Sequence, residues 1–205
     1  MNYDFERLIA VIAESTTKVG PIKSRMLAVI DECERQAQHQ DWAIFKTLDY
    51  QVDIGRLGQW ISKAVDALPD SAPPRGLWVG ICNPCDDPND MSSIRTDVYM
   101  SLCSRFEESS NDWAREPLVT TECLRSEVLR ALYKTAYSGK GSLEDSAEYP
   151  VALAYGAMLT VEALSYAPTQ LFSSLEGAVC GFDSGDSLLV GTVADGAFRR
   201  SVRPL

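Results

Sequence analysis

Two apolar runs on either side of Asp183-Ser184-Gly185-Asp186 constrain the fold of this chain more than any other feature. The runs cover residues 178–182 and 188–193 and are rich in β-branched side chains. Runs of this kind joined by a short segment of Asp, Ser and Gly predict a β-hairpin. Because both runs are apolar on both faces, we expect the hairpin to lie inside a sheet that is covered by helices.

The first part of the chain has helical periodicity. Apolar residues recur at helical spacing in four segments, which begin near residues 5, 22, 41 and 54. Charged side chains fall largely on the opposite faces of these segments, as is typical of amphipathic helices. Residues 1–68 are therefore predicted to form a helical N-terminal region.

Extended patterns begin after the proline-rich segment 69–74, which is a strong breaker. Residues 77–81 predict a buried strand and residues 98–106 a half-exposed strand. The pair Asp195-Gly196 predicts a tight turn that leads into a final strand near residues 198–202.

Helical patterns return between these strands. Residues 124–136 predict one helix, and residues 151–164 predict an apolar helix that lies directly on the sheet, with Pro150 in its first turn. Residues 107–117 are expected to form a surface connection. The fold class is therefore α+β, with a helical N-terminal layer, a mostly antiparallel sheet of four or five strands, and residues 76–205 forming one compact domain with residues 1–68.

The charge of the chain narrows the class of partner. The sequence has 29 acidic and 19 basic residues and a formal net charge of -10. This charge repels nucleic-acid phosphates and anionic lipids, so we expect a basic protein partner and neither nucleic acid nor membrane. The sequence has no basic export signal. It also has no apolar stretch as long as the about 20 residues that a membrane-spanning helix needs, so a cytoplasmic location is expected.

Cys82 and Cys85 form the motif that most resembles a reactive site. A C-x-P-C segment after an apolar strand is typical of thiol-redox sites, whose first cysteine lies at a helix N-terminus. Here Asp86, Asp87 and Asp90 follow, and their carboxylates disfavour a thiolate. A thiol-redox or other small enzyme that uses Cys82 and Cys85 is therefore the alternative function, and all six cysteines are expected to be reduced and mostly buried.

Other catalytic and metal motifs find no support in the sequence. Its one histidine, His39, lies on the polar end of a predicted helix, and there is no second CxxC motif or phosphate-binding loop. Zinc bound through Cys103, Cys123 or Cys180 stays open as a structural alternative. We expect no enzyme, no catalytic residue, no metal and no cofactor.

Aromatic and acidic residues near the loops are the predicted partner-binding residues. Rigid aromatic area combined with negative charge is common at protein interfaces. A structural explanation exists for the same residues, since aromatic side chains fill cores and aspartates stabilise tight turns. The predicted residues are Asp86, Asp87, Asp90, Tyr99, Glu107, Glu108, Trp113, Asp183 and Asp186.

Three segments carry a resemblance to a known group of proteins. Leu77-Trp78-Val79-Gly80, Glu148-Tyr149-Pro150 and Gly181-Phe182-Asp183-Ser184-Gly185-Asp186 together resemble a loosely defined set of bacterial immunity proteins, often encoded beside polymorphic or contact-dependent toxins. The resemblance covers residues 77–193 and implies a stoichiometric inhibitor that occludes the active site of a toxin. The acidic charge would suit a toxin with a basic substrate-binding face, such as a nuclease.

A third function stays open beside the immunity protein and the enzyme. The amphipathic helices of residues 1–68 could form the docking surface of a scaffold or a chaperone-like interaction module.

Overall fold

The fold combines helices with one large sheet. The structure is a computed structural model that describes residues 3–70, 72–83, 94–183 and 185–205. Its helices are α1 (Phe5–Thr17), α2 (Ile22–Gln36), α3 (Trp42–Thr47), α4 (Ile54–Asp66), α5 (Glu127–Ala136) and α6 (Asp145–Ser165). Its strands are β1 (Gly76–Ile81), β2 (Asp97–Cys103), β3 (Pro117–Thr120), β4 (Leu124–Arg125), β5 (Gly177–Phe182), β6 (Ser187–Ala194) and β7 (Ala197–Pro204).

The predicted α+β class is confirmed, but the sheet is larger than predicted and mixed. Seven strands are described, in the order β3-β2-β1-β5-β6-β7, with β4 also paired to β2. Strands β1 and β5 run parallel, and the other pairs are antiparallel. The two additional strands, β3 and β4, are only four and two residues long, too short to show the alternation that identifies a strand.

The predicted hairpin is present at the centre of this sheet. Strands β5 and β6 pair antiparallel, with Gly181 opposite Ser187 next to the turn. Every residue of β5 is buried, in agreement with the apolar pattern on both of its faces. The second predicted turn joins β6 to β7, where Asp195 and Gly196 both have positive φ angles of 55° and 72°, as a type I′ turn requires.

Helix α6 lies directly on one face of the sheet, which we call the inner face. Gly156 makes this close approach possible, because a Cβ atom there would lie 2.5 Å from the side chain of Ile81 and 2.7 Å from the sulfur of Cys180. Helices α1, α2, α4 and α5 pack in turn against α6. The inner-face core therefore joins the N-terminal helices to the central strands through α6.

Three predicted boundaries are wrong. Helix α6 begins at Asp145, so Pro150 lies inside the helix and not in its first turn. Helix α5 begins only at Glu127, because the hydroxyl of Ser126 caps it by accepting a hydrogen bond from the Leu129 amide. Strand β2 ends at Cys103, so Phe106 is no part of it.

Residues 104–116 cover the opposite face of the sheet, which we call the outer face. This segment contains a 3-10 helix, Asp112–Arg115. The rings of Phe106 and Trp113 lie against Gly177 and Gly76, where any Cβ atom would clash with them. They complete a second apolar cluster with residues of four strands, namely Trp78, Cys103, Val179 and Leu189. Strand β2 is therefore largely buried on both faces. The prediction of a half-exposed strand, which rested on its alternating pattern, is wrong.

No described helix combines the length and the apolar character that crossing a membrane requires.

Candidate functional site

The candidate site lies at the carboxyl ends of the parallel strands β1 and β5. In open sheets, ligands often bind beyond the carboxyl ends of parallel strands, where the chain leaves the sheet. Here Cys82 follows β1 and Asp183 follows β5. The amide of Asp183 donates to the carbonyl oxygen of Ile81 at 3.2 Å, which holds the two strand ends together.

Tyr99 links β2 to the turn of the hairpin. Its ring lies over Gly80 of β1, a position where a Cβ atom would overlap with the ring. The phenol donates to Oδ1 of Asp183 at 2.8 Å and accepts from the indole nitrogen of Trp78 at 3.2 Å. Burial and the hydrogen bond to Asp183 raise the pKa of Tyr99, so the phenol keeps its proton at neutral pH and holds Asp183 in place.

Further hydrogen bonds order segment 104–116 and join it to the hairpin. Within the segment, the indole nitrogen of Trp113 donates to the carbonyl oxygens of Ser110 at 2.7 Å and Glu107 at 3.2 Å. The side-chain amide of Asn111 donates to the hydroxyl of Ser187 at 3.1 Å. Segment 104–116 therefore has a defined position next to the hairpin turn.

Exposed carboxylates gather on these two connected segments. They are Glu107, Glu108, Asp112, Glu116, Asp183 and Asp186. Arg203 pairs with Glu108 at 3.1 Å, Arg115 approaches Asp112 at 3.6 Å, and Arg105 pairs with Glu116. Six carboxylates face three described arginine partners, which gives this end of the outer face an excess of negative charge. We call Glu107, Glu108, Asp112, Asp183 and Asp186 the acidic rim.

The structure brings most of the predicted partner-binding residues to this one region. Tyr99 and Asp183 are in direct contact, and Glu107, Glu108 and Asp186 belong to the acidic rim. Trp113 has only 5% of its surface exposed, so its ring fills the outer-face cluster, as the structural explanation for aromatic residues has it, and it anchors segment 104–116. The predicted residues Asp86, Asp87 and Asp90 lie outside the described part of the chain.

Sequence reasoning missed three residues that shape the region. Trp78 holds Tyr99, Asn111 holds segment 104–116, and Gly80 makes room for the Tyr99 ring. The only available signal was the glycine in the run Leu77-Trp78-Val79-Gly80, since glycine inside a strand often marks the close approach of another group.

Cys82 lies at the edge of this region but does not have the properties of a reactive thiol. Its surface is 4% exposed, and burial together with the charge of Asp183 raises its pKa to about 12. A redox nucleophile needs a lowered pKa and access to solvent. Cys85, the second cysteine of the motif, lies outside the described residues.

Metal ligands do not cluster in the described ranges, where no group of three or more His, Cys, Asp or Glu side chains could hold a metal ion. The cysteines considered for zinc lie apart in the sheet, since Cys103 belongs to the outer-face cluster and Cys180 to the inner-face core.

Comparison of the chain with protein-family models, with curated proteins and with solved structures found no significant match.

Proposed function

We propose that this protein is a non-enzymatic binding protein of the bacterial cytoplasm, an immunity protein that neutralises a toxin by occluding it. One observation carries the proposal: the carboxylates of the acidic rim share one end of the outer face and are held there by the Tyr99–Asp183 and Asn111–Ser187 hydrogen bonds. The partner is a basic protein domain, to which this region presents complementary charge.

The fixed backbone of the rim favours tight binding. A loop that is already ordered loses little conformational entropy when a partner binds. Trp113 provides this order through hydrogen bonds within segment 104–116, and Asn111 provides it through its hydrogen bond to Ser187 of the hairpin. The exposed charges add long-range attraction that raises the association rate and weakens with added salt.

Charge reversal in the rim is the direct test. We expect Glu107→Lys combined with Asp186→Lys to weaken the complex with the product of the adjacent gene by at least about tenfold, or about 1.4 kcal/mol. Neither side chain holds another segment in place, so the fold should survive. Binding is measured by titration calorimetry at low and high salt, and loss of toxin neutralisation in cells is scored in parallel.

The matched control reverses two exposed acids elsewhere, Glu6→Lys and Asp49→Lys, which changes the net charge by the same amount. This control should bind almost as well as the unaltered protein. An equal loss of binding in both double variants would exclude a specific role for the rim. If the adjacent gene product forms no complex at all, the immunity function is wrong.

A further inference from the structure

A groove runs between helix α4 and the edge strand β3, away from the acidic rim. It has a volume of about 520 Å³. One wall is formed by α4 with Arg56, Trp60 and Lys63, and the other by the segment from Val119 to Cys123. A helix that lies alongside the open edge of a sheet is the arrangement in which several peptide-binding domains accept an additional strand.

The backbone of β3 has unused hydrogen-bonding groups on the groove side. The amide of Thr121 donates to the carbonyl oxygen of Met100 at 2.8 Å, so Thr121 faces the neighbouring strand β2. Successive residues of a strand point their amide and carbonyl groups in opposite directions, and Thr120 therefore directs both groups away from β2. Within the described residues, no backbone hydrogen bond joins Thr120 to a segment on that side.

Trp60 shows that backbone groups of the segment after β3 are within reach of other hydrogen-bonding partners. The carbonyl oxygen of Glu122, two residues beyond Thr120, accepts a hydrogen bond from the indole nitrogen of Trp60 at 3.2 Å. The free edge of β3 beside this contact is the position that an added strand would occupy.

The charge of the groove differs from that of the whole chain. Its lining has two cations, Arg56 and Lys63, and one carboxylate, Glu122, in a protein of net charge -10. Arg56 is engaged with Asp53 and with the carbonyl oxygen of Arg125. Lys63 is exposed and has no ion pair among the described residues, so its ammonium group can bind a carboxylate of a ligand.

We propose that this groove binds an extended acidic peptide segment of a partner protein, which adds as a strand to the free edge of β3. Backbone bonds to Thr120 supply affinity, and Lys63 selects acidic side chains. This binding site is separate from the acidic rim and selects the opposite charge, so it is a second interaction surface of the molecule.

The test uses the full chain labelled with ¹⁵N and a pool of synthetic eight-residue peptides in which Glu alternates with Val, Ile or Tyr. We expect saturable shifts of the amide signals of Thr120, Glu122 and Lys63. The same peptides with alternate backbone nitrogens methylated keep their side chains and charge but cannot add as a strand, so they should lose at least about tenfold in affinity.

Lys63→Glu and a matched control variant test whether the positive charge of Lys63 selects acidic peptides. Lys63→Glu should weaken binding of the acidic peptides by at least about tenfold. The control Lys134→Glu, at an exposed position on α5, should bind the peptides like the unaltered protein. Glu107→Lys with Asp186→Lys should also bind normally, so the result does not depend on the rim. Absence of saturable shifts in the groove, or equal binding of methylated or Lys-containing peptides, would overturn the proposal.

Discussion

The hydroxyl group of Tyr3 donates a hydrogen bond to the carbonyl oxygen of Ser146 at 2.7 Å. In an α-helix this carbonyl would accept from the amide four residues later, which is residue 150. Residue 150 is Pro150, inside α6, and proline has no amide hydrogen to donate. Tyr3 therefore satisfies a carbonyl group that the proline leaves free, and it ties the start of the chain to the start of the central helix.

Removing the Tyr3 hydroxyl should destabilise the protein more when the proline is present than when it is replaced. Tyr3→Phe leaves the Ser146 carbonyl without a donor in a partly buried position, and we expect a loss of about 1 kcal/mol in the free energy of unfolding. Urea denaturation monitored by circular dichroism measures this loss.

The proline variant supplies the control. In a Pro150→Ala background, the amide of the new alanine can donate to Ser146, so Tyr3→Phe should cost less than half as much there. A double-mutant cycle measures this coupling directly. Equal costs in both backgrounds would show that the two residues act independently.

Asp53 joins three helices through one buried carboxylate. Its side chain is fully buried and accepts hydrogen bonds from the hydroxyl groups of Ser126 at 2.6 Å and Tyr155 at 2.9 Å, and from the Glu127 amide at 3.1 Å. Arg56 completes the set as its ion-pair partner. We expect Asp53→Ala to cost about 3–5 kcal/mol, because buried donors and a cation lose their acceptor.

The comparison for this variant is Asp49→Ala, at an exposed carboxylate that, among the described residues, accepts one hydrogen bond, from the Gln51 amide at 3.0 Å. Its cost should stay below about 1 kcal/mol. Urea denaturation gives both values. A cost of Asp53→Ala as small as that of Asp49→Ala would show that the carboxylate does not hold the helices together.

The parts of the fold that sequence reasoning identified are those with strong local patterns. The hairpin was predicted because apolar runs flank a turn of suitable residues, and α6 because it is apolar almost all round. The pairing of β1 with β5 was not predicted from the sequence. About 100 residues separate these two strands, and no local pattern specifies which strands become neighbours.

The candidate site shows the same limit. Tyr99 and Asp183 were both selected for their side-chain chemistry, but their contact depends on the register that places Tyr99 opposite Gly80. The burial of Trp113 depends likewise on Gly76, a glycine distant in the sequence. Such contacts follow from the assembled sheet and have no signature in the segments themselves.

Gly80→Ala tests whether the glycine positions Tyr99. The added methyl group would overlap with the phenol end of the Tyr99 ring, and this half-exposed ring can rotate away. We therefore expect a loss of about 1–3 kcal/mol, together with loss of the hydrogen bond to Asp183 and a weaker partner complex. Tyr99→Phe removes the same hydrogen bond without a clash and should weaken the complex with a smaller loss of stability.

The control substitution is Gly55→Ala in α4, where a Cβ atom meets nothing within 4 Å. Alanine is the better helix former, so this variant should gain up to about 1 kcal/mol. If Gly80→Ala behaves like Gly55→Ala, the ring does not need the glycine.

Glu148 should make the stability of the protein fall as the pH rises. The Tyr137 hydroxyl lies 2.7 Å from carboxylate oxygens of both Asp145 and Glu148. A phenol has one proton to donate, so the second short contact requires a proton on one of the carboxyl groups. Burial raises the pKa of Glu148 above its usual 4.5, with a smaller contribution from Asp145 and against the hydrogen bond with Tyr137, so Glu148 binds a proton more readily in the folded protein than in the unfolded chain.

The sign of the pH dependence follows from that shift. Between the ordinary pKa of Glu148 and its raised value, the folded protein binds a proton that the unfolded chain releases, so the free energy of unfolding decreases with rising pH. Glu148→Gln retains a hydrogen-bond donor toward Tyr137 and cannot ionise. We expect it to remove the Glu148 part of this slope in urea denaturation at pH values above the usual pKa of 4.5. Glu127→Gln, at an exposed carboxylate on α5, should leave the slope unchanged, and a slope that persists undiminished in Glu148→Gln would place the shared proton elsewhere.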